Sequence, residues 1–185
     1  MNLSAKTVTG SSGKTYRLDQ RKDSGGEGDV YTLQSDTTLV AKIYNDQKLN
    51  ETAPDGSNMC DYMEHKIKLM IGRFSNMNRS YRGSHFPILA WPKDALFYNG
   101  SFVGYLMPKI DVKYKIYDGY RTGIKETLFK NYSWKTSIGL ACNMAHAVAF
   151  IHSCDLIIGD FNPNNFVINE KDGSLTFIDT DSFDI

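Results

Sequence analysis

The chain has 185 residues, 21 basic against 21 acidic side chains, 41% apolar and 12% aromatic residues, enough to bury a hydrophobic core and too apolar for a disordered or fibrous chain. The balanced charge argues against a nucleic-acid partner. Cys60, Cys142 and Cys154 show neither CxxC spacing nor a histidine at a metal-ligand offset and read as reduced, mostly buried thiols, and the lack of a long apolar run predicts a cytoplasmic protein without membrane contact.

Residues 1–15, rich in Ser, Thr and Gly, read as a flexible arm. From Tyr16 the chain turns to short β-rich runs, TYRLDQ, DVYTL and TLVAKIY, separated by the turn chemistry of KDSGGEG and QSDT, which predicts an antiparallel meander with the glycines in its first hairpin. After a polar loop, Met59, Tyr62, Met63, Ile67, Met70 and Ile71 recur at helical spacing, with Glu64 at the edge of the stripe. A second β section follows: FPILAWP, ALFY, an Asn99-Gly100 hairpin signal and SFVGYLMP. Ser133 can cap a long helix, with Ile138, Ala141, Ala145, Val148 and Ala149 as its buried face and Trp134 as a packing anchor. FVIN and LTFID then form a hairpin around Asp172-Gly173.

The chemistry concentrates near the C-terminal end, in IGDFNPNNFVINEKDGSLTFIDTDSF. Asp160 and Asp179 each sit where a buried run ends and a loop begins, and Asn165 lies five residues after Asp160. A carboxylate, a carboxamide and a second carboxylate at strand ends suit a hard cation bound through oxygen, with one carboxylate left to orient a hydroxyl nucleophile. That is the equipment of phosphoryl transfer.

These residues resemble the protein kinase superfamily, in which a catalytic loop H-R-D-x-x-x-x-N precedes a D-F-G metal turn. IGDFNPNN and DTD occupy the two places, and the likeness is greatest to bacterial kinase-like proteins with a GDxNPxN loop and an IDTDSF turn. DSGGEGDVY is similar to the family's glycine-rich phosphate loop, with Gly25, Gly26, Gly28 and Val30 in place and Asp23 where the first glycine would stand. VAK brings Lys42 to the position of the phosphate-binding lysine, and Glu64 to that of its ion-pair partner.

The resemblance implies an α+β, two-lobed kinase-like fold: an N-lobe over 16–108 with an antiparallel sheet plus helix, then a hinge and a truncated helical C-lobe over 109–185. It implies ATP and Mg2+ as cofactors, Lys42, Glu64 and Asp160 as catalytic residues, Asn165 and Asp179 as metal ligands, and Met107, Pro108 and Ile110 at the adenine-binding hinge. The activity implied is transfer of the γ-phosphate to a hydroxyl of a protein, in Ser/Thr kinase manner. Two alternatives accompany it: a pseudokinase or nucleotide-binding interaction module, and a small-molecule kinase of aminoglycoside or choline phosphotransferase type. Gly159 replaces the arginine that answers activation-loop phosphorylation, and Asn162 replaces the catalytic-loop lysine. The run from Asp179 to Ile185 leaves no room for the family's later helices, so self-association or a partner is expected to cover the truncated C-lobe.

Overall fold

The structure, a computed structural model, describes residues 3, 5–80, 86–111 and 113–185, with Ser75 described by its backbone alone. The chain divides into two compact units, the first running up to Phe74 and resuming over Trp91–Lys109, the second comprising Ser75–Ala90 and Ile110–Ile185. The segment 75–90, expected within the N-lobe over 16–108, therefore belongs to the second unit.

The first unit is built on six strands, β1 (Thr7–Gly10), β2 (Thr15–Ser24), β3 (Gly28–Leu33), β4 (Leu39–Tyr44), β5 (Asp94–Tyr98) and β6 (Ser101–Pro108). They form a closed antiparallel barrel in the order β1-β2-β3-β4-β6-β5. Alternation explains the inward face: Val8, Tyr16, Leu18, Tyr31, Leu33 and Leu96 are buried, while Thr7, Thr15 and Arg17 are exposed. Each fully buried large side chain of this set contributes about 1.5–3 kcal/mol. Asn99 and Gly100 join β5 to β6 with φ of 51° and 82°, the left-handed pair a two-residue hairpin demands.

The expected flexible arm over 1–15 is corrected here, because Thr7–Gly10 is a barrel strand; residues 1, 2 and 4 of that arm lie outside the described residues. β1 pairs with β2 on one side and, through Thr9↔Phe97 and Gly10↔Leu96, with β5 on the other. A buried carboxylate reinforces this closure. Asp94, 5% exposed, accepts from Ser11 Oγ at 2.7 Å, Ser12 Oγ at 2.5 Å, Ser12 N at 3.2 Å and Tyr16 OH at 3.1 Å. Asp94→Ala removes the common acceptor of these groups and is expected to lower stability by about 2–4 kcal/mol, measured by urea denaturation; a loss within about 0.5 kcal/mol would show that the clasp contributes nothing.

Two helices of the first unit follow β4: α1 (Asp46–Leu49) and α2 (Met59–Gly72). Asn58 caps α2 by accepting from Cys60 N at 2.8 Å, and the predicted stripe supplies its buried residues Met59, Met63, Ile67 and Met70. At its C-terminal end the Met70 carbonyl accepts both from Arg73 N at 3.0 Å and from Trp91 Nε1 at 2.8 Å.

In the second unit, α3 (Phe74–Met77, beginning one residue before the boundary), α4 (Lys125–Leu128) and α5 (Trp134–Ser153) precede a hairpin of β7 (Phe166–Ile168) and β8 (Leu175–Phe177). The run FPILAWP is not a strand. Its prolines withhold donors, and it lies along β8 through one parallel bridge, Leu89↔Phe177, with Phe177 N donating to Ile88 O and Ala90 N to Phe177 O. The face of α5 differs from expectation too: Leu140, Ala147 and Ile151 are buried, whereas Ile138 is 51% and Trp134 68% exposed, and Ala141, Ala145 and Ala149 are exposed. The cysteines are free, but none is buried as expected: Cys60 and Cys154 are half-buried and Cys142 is exposed.

Candidate functional site

The sequence-predicted residues fall into two sets, one in each unit. In the first unit the glycine loop joins β2 to β3. Gly25 N donates to Gly28 O at 2.8 Å, closing a tight turn over Gly26 and Glu27. At Gly28 a Cβ would collide with Ile43 O of the neighbouring strand, so only glycine lets β3 and β4 approach this closely at the base of the loop. Val30, half-buried, pairs with Lys42 across the ladder, and Lys42 pairs with Tyr105 on its other side. Lys42 is thereby held in mid-sheet, 9% exposed, with Nζ 5.6 Å from the centroid of the Tyr44 ring.

Glu64 lies on α2, half-buried, and its Oε1 accepts from Lys68 Nζ at 2.5 Å. The carboxylate predicted to partner Lys42 is thus engaged one helical turn further along its own helix. Met107 and Pro108 end β6 opposite Val40 and Leu39, and Lys109 N donates to Thr38 O at 2.8 Å. Ile110, 7% exposed, is the first residue of the second unit after this strand.

In the second unit the structure brings Asp160 and Asn165 together. Asn165 Nδ2 donates to Asp160 Oδ2 at 2.9 Å, with a longer bond to Asp160 O at 3.3 Å. The loop earns this geometry locally: Asn162 Oδ1 accepts from Asn164 N at 2.9 Å, and Asn165 N donates to Asn162 O at 2.9 Å, so Asn162 caps the single 3-10 turn Pro163–Asn165 with proline at its first position. Lys115 Nζ donates to Asn164 O at 2.7 Å and closes the outer side of the turn.

The Asp179 turn is bonded directly to this loop. Ile178 N donates to Asn165 O at 2.9 Å, and Ile157 and Asp184 exchange backbone bonds at 3.1 and 2.9 Å. Between these ties, a Cβ at Gly159 would collide with Ser182 O. Gly159 therefore allows the two loops to touch just before Asp160. The turn Thr180–Ser182 follows Asp179, whose carbonyl accepts from Ser182 Oγ at 2.8 Å, and Thr180 Oγ1 donates to Ala90 O at 3.1 Å. From exposed Phe161 on the loop inward to buried Phe166, Phe177 and Phe183, the rings form an edge-to-face chain with centroids 5.2, 3.9 and 5.1 Å apart, such contacts being worth about 0.5–1.5 kcal/mol each beyond burial.

The donor chemistry fits a hard divalent cation. Asn165 spends its amide N–H on Asp160, which leaves its Oδ1 as an oxygen donor, and Asp179 supplies a carboxylate on the adjoining turn. Among the described residues no group of three or more His, Cys, Asp and Glu side chains forms a metal cage. A magnesium ion does not require one, because it keeps water and phosphate oxygens and takes one or two protein ligands.

Three contributors, Asn162, Asn45 and Lys48, are not identified by the sequence reading. Asn162 was read as a lost lysine, although Asn-Pro-x-Asn is a capping signature that could have identified its role. Asn45 and Lys48, which bond to the glycine loop, carry no sequence signal, since only the turn of the chain after β4 brings them there.

No family model matches the sequence. Among curated proteins the chain is 28% identical over 187 residues to protein kinase YegI of Escherichia coli K12, covering all of this chain and 26% of that protein, and 26% identical over 181 residues to YegI of Escherichia coli O157:H7, covering 97% and 25%. The chain thus spans about a quarter of the length of these relatives. Among solved structures it is similar to the ROP18 kinase domain in complex with AMP-PNP and sucrose, with a TM-score of 0.59 and 14% identity over 97% of this chain and 56% of that one. A double mutant of the Mycobacterium tuberculosis PknI kinase domain gives 0.58 and 16% over 98% and 64%. The chain is therefore protein-kinase-like in sequence, and its α+β architecture is protein-kinase-like over the 56–64% of those kinase domains that it covers.

Proposed function

We propose that this chain carries the nucleotide-binding and catalytic residues of an ATP-dependent phosphotransferase that transfers the γ-phosphate of Mg-ATP to a Ser or Thr hydroxyl of a protein. The observation that carries this reading is the bond from Asn165 Nδ2 to Asp160 Oδ2, inside a loop bonded by its own backbone to the Asp179 turn. A carboxylate with one oxygen committed to an amide, beside two further oxygen ligands, separates proton handling from cation binding. The similarity to proteins named protein kinase, and to a kinase domain solved with AMP-PNP, supports the same ligand.

In this mechanism the glycine loop of Gly25, Gly26 and Gly28 and the ammonium of Lys42 hold the phosphates, with Val30 and the Met107, Pro108 and Ile110 segment against the base. Glu64 orients Lys42 on exchanging Lys68 for it. Asn165 and Asp179 hold magnesium, which when bound neutralises charge developing on the phosphate oxygens. Asp160 orients the substrate hydroxyl and accepts its proton at the oxygen not bonded to Asn165. The contribution of the chain is positioning and charge, and the proposed setting is the cytoplasm.

The Glu64–Lys68 pair favours a second reading, a module that binds nucleotide without transferring phosphate. One experiment separates the two: a Mg-ATP thermal-shift titration beside transfer of labelled γ-phosphate to a generic Ser/Thr substrate and to the chain itself. The first reading expects both a shift and transfer. A shift without transfer selects the module, and the absence of both overturns nucleotide binding.

A further inference from the structure

Within the first unit Asn45 occupies the junction between β4 and α1 and uses three of its polar groups. Its Oδ1 accepts from Lys48 N at 2.7 Å, its Nδ2 donates to Gly26 O at 2.7 Å, and its backbone N–H donates to Glu27 O at 2.9 Å. Lys48 adds an ion pair to Glu27 at 2.8 Å and another to Glu51 at 3.4 Å. The hydrogen bond to Glu27 holds the Lys48 ammonium above its ordinary range despite partial burial, so it stays charged.

Two consecutive carbonyls of the glycine loop therefore face the start of α1. In a trans peptide the carbonyl and the N–H of one plane point in opposite directions, and the described chain contains no cis peptide. The plane that carries Gly26 O also carries Glu27 N–H, and the plane that carries Glu27 O also carries Gly28 N–H. Both amides are consequently turned away from α1. At Gly26 a Cβ would meet nothing within 4 Å, so the tip of the loop is open to an approaching group. Successive N–H donors on one side of a turn form a concavity for an anion.

We propose that Asn45, together with the Lys48–Glu27 pair, is a clasp that sets the peptide planes of the glycine loop and so presents the Glu27 and Gly28 amides to the phosphates of the nucleotide. It rests on the phosphotransferase reading above, and it makes Asn45 and Lys48 positioning residues rather than catalytic ones.

Asn45→Asp tests it selectively, because an aspartate still accepts from Lys48 N and caps α1 but can no longer donate to Gly26 O. Lys48→Gln removes the ion pair. Amide hydrogen exchange of Gly25 and Asn45, whose N–H groups are bonded to Gly28 O and Glu27 O, is measured in nucleotide-free protein, and affinity is then measured for ATP and for adenosine, which lacks phosphates. Each variant is expected to exchange about tenfold faster at these amides and to bind ATP about 5- to 10-fold more weakly, with adenosine unchanged. Unchanged exchange in the double variant, or equal losses for ATP and adenosine, would overturn the clasp while leaving nucleotide binding intact. A wild-type chain that bound neither ligand would instead overturn the phosphotransferase reading, and the role of the clasp with it.

Discussion

Asp160→Asn is expected to reduce phosphate transfer by a factor on the order of 10² or more while leaving Mg-ATP affinity within about threefold of wild type. An asparagine at this position keeps a carbonyl oxygen for Asn165 Nδ2, so the 2.9 Å bond that organises the loop survives. The 3-10 turn capped by Asn162 does not involve the Asp160 side chain and should persist as well. What disappears is the proton acceptor, since the remaining group on the side chain becomes an N–H donor. Binding and turnover are measured on the same sample, the first by calorimetry and the second by release of labelled phosphate into substrate. Parallel losses in both would place Asp160 among the metal ligands.

Asp179→Asn is expected to act on the opposite quantity. The turn after Asp179 is held by its backbone carbonyl, which accepts from Ser182 Oγ, and by Thr180 Oγ1 to Ala90 O, so the amide leaves these supports in place. Replacing a carboxylate by a neutral amide removes the only formal negative charge from the proposed magnesium pair, Asn165 and Asp179. ATP affinity in the presence of magnesium should fall by at least about tenfold, to the level found with EDTA, with the melting temperature of the nucleotide-free protein little changed. A variant whose affinity still rises normally with magnesium would remove Asp179 from the cation site.

The two variants make different uses of one local arrangement, and most of that arrangement was readable from residue order. Asp160, Pro163 and Asn165 carry their geometry in a six-residue loop, where proline sets φ and asparagine caps the turn. Gly159 shows the limit of such reading. From the sequence it was a missing arginine; in the structure it is the point where the backbone of the loop meets Ser182 O, a contact more than twenty residues away along the chain. Glu64 shows another. Its place on α2 was evident from the apolar stripe, but whether its carboxylate meets Lys42 or Lys68 depends on side-chain competition that spacing does not encode.

What the sequence determined by itself is local. The Asn99-Gly100 hairpin, the capped α2 with its Met and Ile face, the tight glycine turn and the Asp160–Asn165 loop each follow from φ preferences, capping and periodicity within about fifteen residues. Tertiary structure alone decided the rest. Thr7–Gly10 has the composition of a loose arm and is fixed as a barrel strand by pairing on both sides, with β2 next in the chain and with β5 more than eighty residues later, where Asp94 gathers the hydroxyls beside it. Along α5 small apolar residues recur on several sides, so periodicity does not single out one stripe; contact with β8 of the hairpin helps to select Leu140, Ala147 and Ile151 over Ile138 and Ala145. Asn45 belongs to the same class, because a side chain that bonds across a sheet edge to the glycine loop gains its role from where β4 ends, a property of the barrel rather than of any motif.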